Sequence, residues 1–130
     1  MGYNGNIQEK GGETMSVYNV LSLENMPASP QEEEISNVLC QGKTGRIERL
    51  ISTGQCSPAG FWYDQIEDEW IVLISGEADI AFENEQIHLQ TGDSLLIPAH
   101  KRHRIEKTSI NPPCIWLCVF GHYHSEENFG

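Results

Sequence analysis

No stretch of this sequence approaches the roughly 18 to 20 consecutive apolar residues that a bilayer-spanning helix needs. The longest apolar runs are the short ones at 70–74 and 114–120, so no membrane partner is expected. Residues 1–14 are polar and Gly-rich without an apolar centre. A signal peptide is not expected there, and a cytoplasmic location is the default expectation. Positive charge is also scarce: 8 Lys and Arg stand against 19 Asp and Glu, a net charge of −11. That balance repels phosphate backbones, so no nucleic acid partner is expected. Cysteine is limited to Cys40, Cys56, Cys114 and Cys118, and a domain of this size does not need disulfide staples, so all four are expected as thiols. In a regular strand Cys114 and Cys118 would share one face about 13 Å apart, beyond disulfide reach. Helix-turn-helix, phosphate-loop, Gly-x-Ser-x-Gly and Cys-x-x-Cys patterns are all lacking, which leaves nucleophilic catalysis by Ser or Cys unsupported.

What is present is a chain of 130 residues, 38% hydrophobic and 21% charged, enough for one domain with its own core. A Gly-rich leader is expected over 1–15, one domain over 16–121, and a polar tail over 122–130. Ser29, Pro30 and Glu32 resemble a helix start. With Ile35, Val38 and Leu39 at helical spacing, they predict a short N-terminal helix over 30–39. From Ile47 the pattern changes to short runs of period two separated by turn residues. Strands are predicted over 46–52, 60–64, 69–75, 78–83, 86–89, 94–97, 103–108 and 114–120. Eight short strands in so small a chain indicate an all-β sandwich or barrel. The basic residues gather at Arg46 and Arg49 and at Lys101, Arg102, Arg104 and Lys107, either as solvated strand edges or as an anion-attracting rim.

Two segments resemble the paired motifs of the cupin superfamily. Glu69 stands seven residues before Gly76, matching the second half of a first motif that reads H-x-H, three or four residues, E, six residues, G. Gly92, Pro98 and His103 match a second motif that reads G, five residues, P-x-G-x-x-H. The resemblance covers about 47–120 and implies an all-β, cupin-type double-stranded β-helix (jelly-roll) barrel, a metal site in its interior, and a homodimer. It departs from the pattern at two places. Tyr63 and Gln65, or Trp62 and Asp64 with the longer gap, stand where the first motif has two histidines, and His100 stands at the glycine of the second.

Carried over residue by residue, the resemblance makes Glu69 and His103 metal ligands, with Gln65 or Asp64 as a further oxygen donor. Zn, Mn, Fe or Ni would suit such a mixed N/O set. Tyr63 and His100 are the candidates for moving a proton. The competing reading is a buried Glu69 satisfied by His103 or Tyr63 with no metal at all. Strand parity puts Glu69, Ile71 and Leu73 on one face and Trp70, Val72 and Ile74 on the other. Both faces are apolar, so the outer one needs a cover, and Trp70 is the candidate anchor of a dimer. On the last strand, either Cys114, Trp116 and Cys118 or the set Ile115, Leu117 and Val119 lines the interior. The function expected is a small barrel binding or transforming a small polar metabolite at a mononuclear metal site. The alternative is a non-catalytic module that binds a small molecule without metal.

Overall fold

The computed structural model describes residues 15–24 and 33–123; all but the last residue of the leader expected over 1–15, most of the tail and the start of the predicted helix lie outside them. Eight strands make two antiparallel sheets. They are β1 (Ile35–Gln41), β2 (Arg46–Ser52), β3 (Asp68–Ser75), β4 (Ala78–Phe82), β5 (Gln86–Leu89), β6 (Ser94–Ile97), β7 (His103–Thr108) and β8 (Cys114–Gly121). The larger sheet runs β1-β2-β8-β3-β6 and the smaller β5-β4-β7. Their facing sides enclose one core, in which Leu73 and Ile80 are fully buried. Each such side chain contributes on the order of 1.5–3 kcal/mol of transfer free energy. This is the all-β barrel that the paired motifs implied.

Period two explains which side chains enter. On β3, Glu69, Ile71 and Leu73 are buried while Trp70 is 38% exposed. On β8 the inner set is Cys114, Trp116, Cys118 and Phe120. The register Glu69↔Phe120, Ile71↔Cys118 and Leu73↔Trp116 sets these two rows side by side at the centre of the larger sheet.

The helix expected over 30–39 is corrected from Ile35 onward: that stretch is the edge strand β1, and the described residues contain no helix. A helix of about ten residues is marginal alone. The open edge of β2 offers ladder partners instead, from Ile35↔Ile51 to Gln41↔Arg46. Ile35, Asn37 and Leu39 are half-buried while Ser36, Val38 and Cys40 are exposed, the alternation of a strand.

The strand expected over 60–64 is likewise not one. Residues 53–63 form a loop fastened to β7 by side chains. Arg104 donates to the carbonyls of Ser57, Pro58 and Phe61 at 3.0–3.2 Å, and Thr108 Oγ1 donates to Gln55 O at 2.6 Å. Only Tyr63 pairs as a strand residue would, by an isolated bridge to His103. The Gly and Pro residues at 54, 58 and 60 favour turns over a regular ladder.

Candidate functional site

Between the sheets lies a cavity of about 250 Å³. Its walls follow from parity: Arg46, Glu48, Leu50 and Ser52 from β2, Glu69 and Ile71 from β3, His103 and Ile105 from β7, and Trp116, Cys118 and Phe120 from β8. Tyr63 and Gln65 reach in from the loop before β3, and Glu34 from the chain before β1.

Glu69 and His103 meet in this wall, with Oε1 of one 3.8 Å from Nε2 of the other. They are 8% and 4% exposed. Burial raises the Glu69 carboxyl to about 7; a hydrogen bond from the Cys118 thiol lowers it, Glu48 and Glu67 raise it, and Arg46 lowers it. Burial depresses His103, and its bond to the Lys101 carbonyl opposes that. Each group therefore shifts toward its neutral form. A carbonyl can only accept, so His103 Nδ1, 2.9 Å from Lys101 O, carries the proton. The Nε2 lone pair is left facing Glu69. Burial also raises the Cys118 thiol well above its ordinary range, with Glu69 adding to the effect. Cys118 is thus a thiol, not a thiolate.

Tyr63 stacks on the His103 ring, centroids 5.3 Å apart and planes at 24°. Its backbone exchanges two hydrogen bonds with that of His103, at 2.7 and 3.2 Å. The same contacts fix the imidazole and bring the tyrosine to the cavity. Burial raises its phenol, with Glu34 and Glu69 adding to the effect.

Asp64 and His100 are placed elsewhere. They face each other across 2.8 Å (His100 Nδ1 to Asp64 Oδ1) with half or more of each side chain exposed, outside the cavity lining. The structure thus sets Asp64, expected as an interior ligand, and His100, expected to move a proton, at the surface rather than in the cavity lining. His100 has φ of 65° in a turn closed by Lys101 N donating to Pro98 O. A positive φ at this turn position favours glycine, which is why the family motif has one. Here the Asp64 contact and a bond from His100 N to Gln65 O at 2.7 Å hold the non-glycine residue in place.

The donor set fits a metal ion in part. His103 presents Nε2 with Nδ1 anchored, the arrangement a ligating imidazole needs, and Glu69 stands beside it. Gln65 supplies only a neutral donor. Among the described residues no cluster of three His, Cys, Asp or Glu side chains could hold an ion, whereas catalytic zinc sites keep three protein ligands.

Several lining residues escaped the sequence reading. Arg46 and Glu48 belong to a strand whose two faces are both mixed, so alternation alone does not say which set is inside. Arg46 Nε donates to Glu48 at 2.6 Å and its Nη1 to both Glu67 oxygens at 3.0 and 3.1 Å. The guanidinium lies 3.9 Å from the Phe120 ring centroid. Of the remaining basic residues, Arg49 is buried on the outer side of β2. Arg102 pairs with Glu83, and of the two clusters only Arg46 belongs to the cavity lining.

A family model described as "Cupin domain" matches residues 57–120. A search of curated proteins gives no match. Among solved structures, a protein of Ralstonia eutropha JMP134, named provisionally as a mannose-6-phosphate isomerase, is 38% identical. That match covers 84% of this chain and 100% of the other, with a TM-score of 0.75. A cupin superfamily protein of Desulfitobacterium hafniense DCB-2 is 24% identical over 70% of this chain and 79% of that one, TM-score 0.61. KdgF of a Halomonas species is 13% identical over 72% and 91%, TM-score 0.57, a likeness of fold. With Glu69, Gly76, Gly92, Pro98 and His103 at their motif places in a two-sheet barrel, the chain belongs to the cupin superfamily.

Proposed function

We propose that this barrel binds a small polar metabolite in its cavity, with the Glu69–His103 pair as the polar floor of the site. The observation that carries the reading is that pair, buried at 3.8 Å with no hydrogen bond joining the two groups. A ligand hydroxyl or amine would satisfy both: the carboxylic acid can donate or accept, and Nε2 can accept. Tyr63 and Gln65 add further hydrogen-bonding groups on the adjoining wall. Volume limits the occupant, since the cavity of about 250 Å³ is smaller than the roughly 300–1,000 Å³ pockets that take drug-sized ligands. The name given to the Ralstonia relative, a sugar-phosphate isomerase, also belongs to small-metabolite chemistry.

A second reading has an observation of its own, the Nε2 lone pair locked toward the cavity by the Lys101 carbonyl. In it Glu69 and His103, with Gln65 as neutral donor, hold a divalent ion of Zn, Mn, Fe or Ni. Such an ion would polarise a ligand carbonyl. Thermal-shift screening of the untagged protein against a metabolite library, with metal analysis of the same sample, tests both readings. Stabilising hits that fail on Glu69→Gln and His103→Ala support the site. Stoichiometric metal, lost in the same variants, replaces the metal-free reading with the second. Neither hits nor metal would overturn both. Turnover of a hit would make the pair an acid–base couple, with Tyr63 beside it.

The outer face of β3 and β8 supports the expected homodimer. Trp70 stands there 38% exposed, with Val72, Leu117 and Val119 half-buried around it, and their covering by a second copy would remove this apolar surface from water.

A further inference from the structure

Resting on the small-molecule reading above, we infer that the cavity selects a small organic cation, an amine, and rejects phosphorylated and carboxylated metabolites. Three acidic side chains line it, Glu34, Glu48 and Glu69; burial draws Glu34 and Glu69 toward their neutral forms, and a cation beside them would favour their ionised forms. Against them stands one guanidinium, that of Arg46. Its Nε is committed to Glu48 at 2.6 Å, and its Nη1 to both oxygens of Glu67. The imidazole of His103 has Nδ1 spent on the Lys101 carbonyl at 2.9 Å, so that nitrogen is not available to a ligand. An anion entering here would meet a guanidinium already paired with two carboxylates, Glu48 and Glu67, and would stand beside Glu48, with Glu34 and Glu69 in the same wall. The Coulomb term would oppose it in a partly desolvated space, where it is least screened.

The aromatic wall argues for a cation over a neutral polyol. Trp116 lines the same cavity, and aromatic rings attract ammonium groups, Trp most strongly; Tyr63, also in the lining, stacks on His103, and Phe120 carries the Arg46 guanidinium. The protein already seats one cation in this manner: the Arg46 guanidinium lies 3.9 Å from the Phe120 centroid. An ammonium placed between Trp116 and the carboxylates would repeat that arrangement with a ligand. The net charge of −11 would also raise the local concentration of cations at the opening. The Ralstonia relative's name points to a sugar phosphate, a class for which this lining offers only the already paired Arg46.

The test is a binding panel on the full chain by calorimetry and thermal shift at low salt. The probes are choline, ethanolamine and putrescine as cations, glucose as a neutral polyol, and mannose 6-phosphate and gluconate as anions. The expected result is stabilisation by at least one amine and by neither anion. Glu48→Gln, checked for folding by circular dichroism, should weaken the amine about tenfold, as for loss of one partly buried charge contact. The double variant Glu48→Gln/Glu67→Gln strips Arg46 of its partners and should gain binding of mannose 6-phosphate. Anions or glucose binding the unaltered chain more tightly than every amine would overturn the charge assignment and leave the small-molecule reading standing. Binding of none of these probes also overturns it; the library screen described above then decides the parent reading separately.

Discussion

His103 Nε2 lies 3.8 Å from Glu69 Oε1 in the cavity wall, and each group shifts toward its neutral form. That relationship couples folding to pH with a definite sign. The Glu69 carboxyl, ordinarily at 4.5, sits at about 7 in the folded chain. Below 4.5 both folded and unfolded states hold its proton, and between 4.5 and 7 only the folded state does. Its contribution to stability therefore falls as pH rises through that window, by about 3 kcal/mol in total, and is level above it. His103 acts in the opposite sense, its depressed pKa removing stability as pH falls below the ordinary imidazole value of 6.5. Glu69→Gln removes the first slope and leaves the second. Its stability relative to the parent should climb between pH 5 and pH 8, measured by urea unfolding. A difference constant with pH would contradict the buried, uncompensated carboxyl.

Arg49 ties the segment before the barrel to the outer side of β2. It is 5% exposed, and its Nη1 donates to the carbonyls of Val20 at 3.0 Å and Ser22 at 2.7 Å while Nη2 donates to Asn37 Oδ1 at 3.1 Å. A lysine has one ammonium and cannot span three acceptors set for a planar fork. Arg49→Lys should lose about 1–3 kcal/mol and open residues 17–23 to protease. Equal stability and unchanged cleavage would show that the segment is held by something else.

Gly76 and Gly92 both have positive φ, 92° and 95°, yet their surroundings differ. A Cβ on Gly76 would stand 2.7 Å from Ser109 Oγ, 2.8 Å from Pro113 O and 2.9 Å from Cys114 Cα, whereas one on Gly92 meets open space. Gly92→Ala should cost only the backbone term, about 1–2 kcal/mol, and Gly76→Ala about 2–4 kcal/mol once overpacking is added. Thermal melts of the two variants check the order.

Trp70→Glu addresses the outer face. If two copies meet there, sedimentation should show a dimer for the parent chain and a monomer for the variant, with unchanged circular dichroism. A parent chain that is monomeric at high concentration contradicts the dimer.

Much of the barrel was legible because period two and turn residues agree with each other from Arg46 onward: β2, β5, β6 and β7 fall where alternation puts them. Glu69 and His103 were legible through motif spacing alone. The first strand was not, since Ile35, Val38 and Leu39 satisfy both a helical stripe and an edge strand, and only the partner ladder of β2 decides between them. Residues 60–64 misled for the same kind of reason: their aromatic character suits a strand, but Arg104 and Thr108 fasten the loop by side chains that lie over 40 residues away in sequence. The charge of the cavity was hidden too. Arg46, Glu48 and Glu67 look like solvated residues until the fold turns Arg46 toward Phe120.

The most direct measurement is calorimetric titration of a screening hit into the parent chain, Glu69→Gln and His103→Ala, each shown to be folded. Binding at one site per chain, weakened about tenfold or more in both variants, is the predicted result. Equal affinity in all three proteins would contradict the account, because the ligand would then be bound without the Glu69–His103 pair.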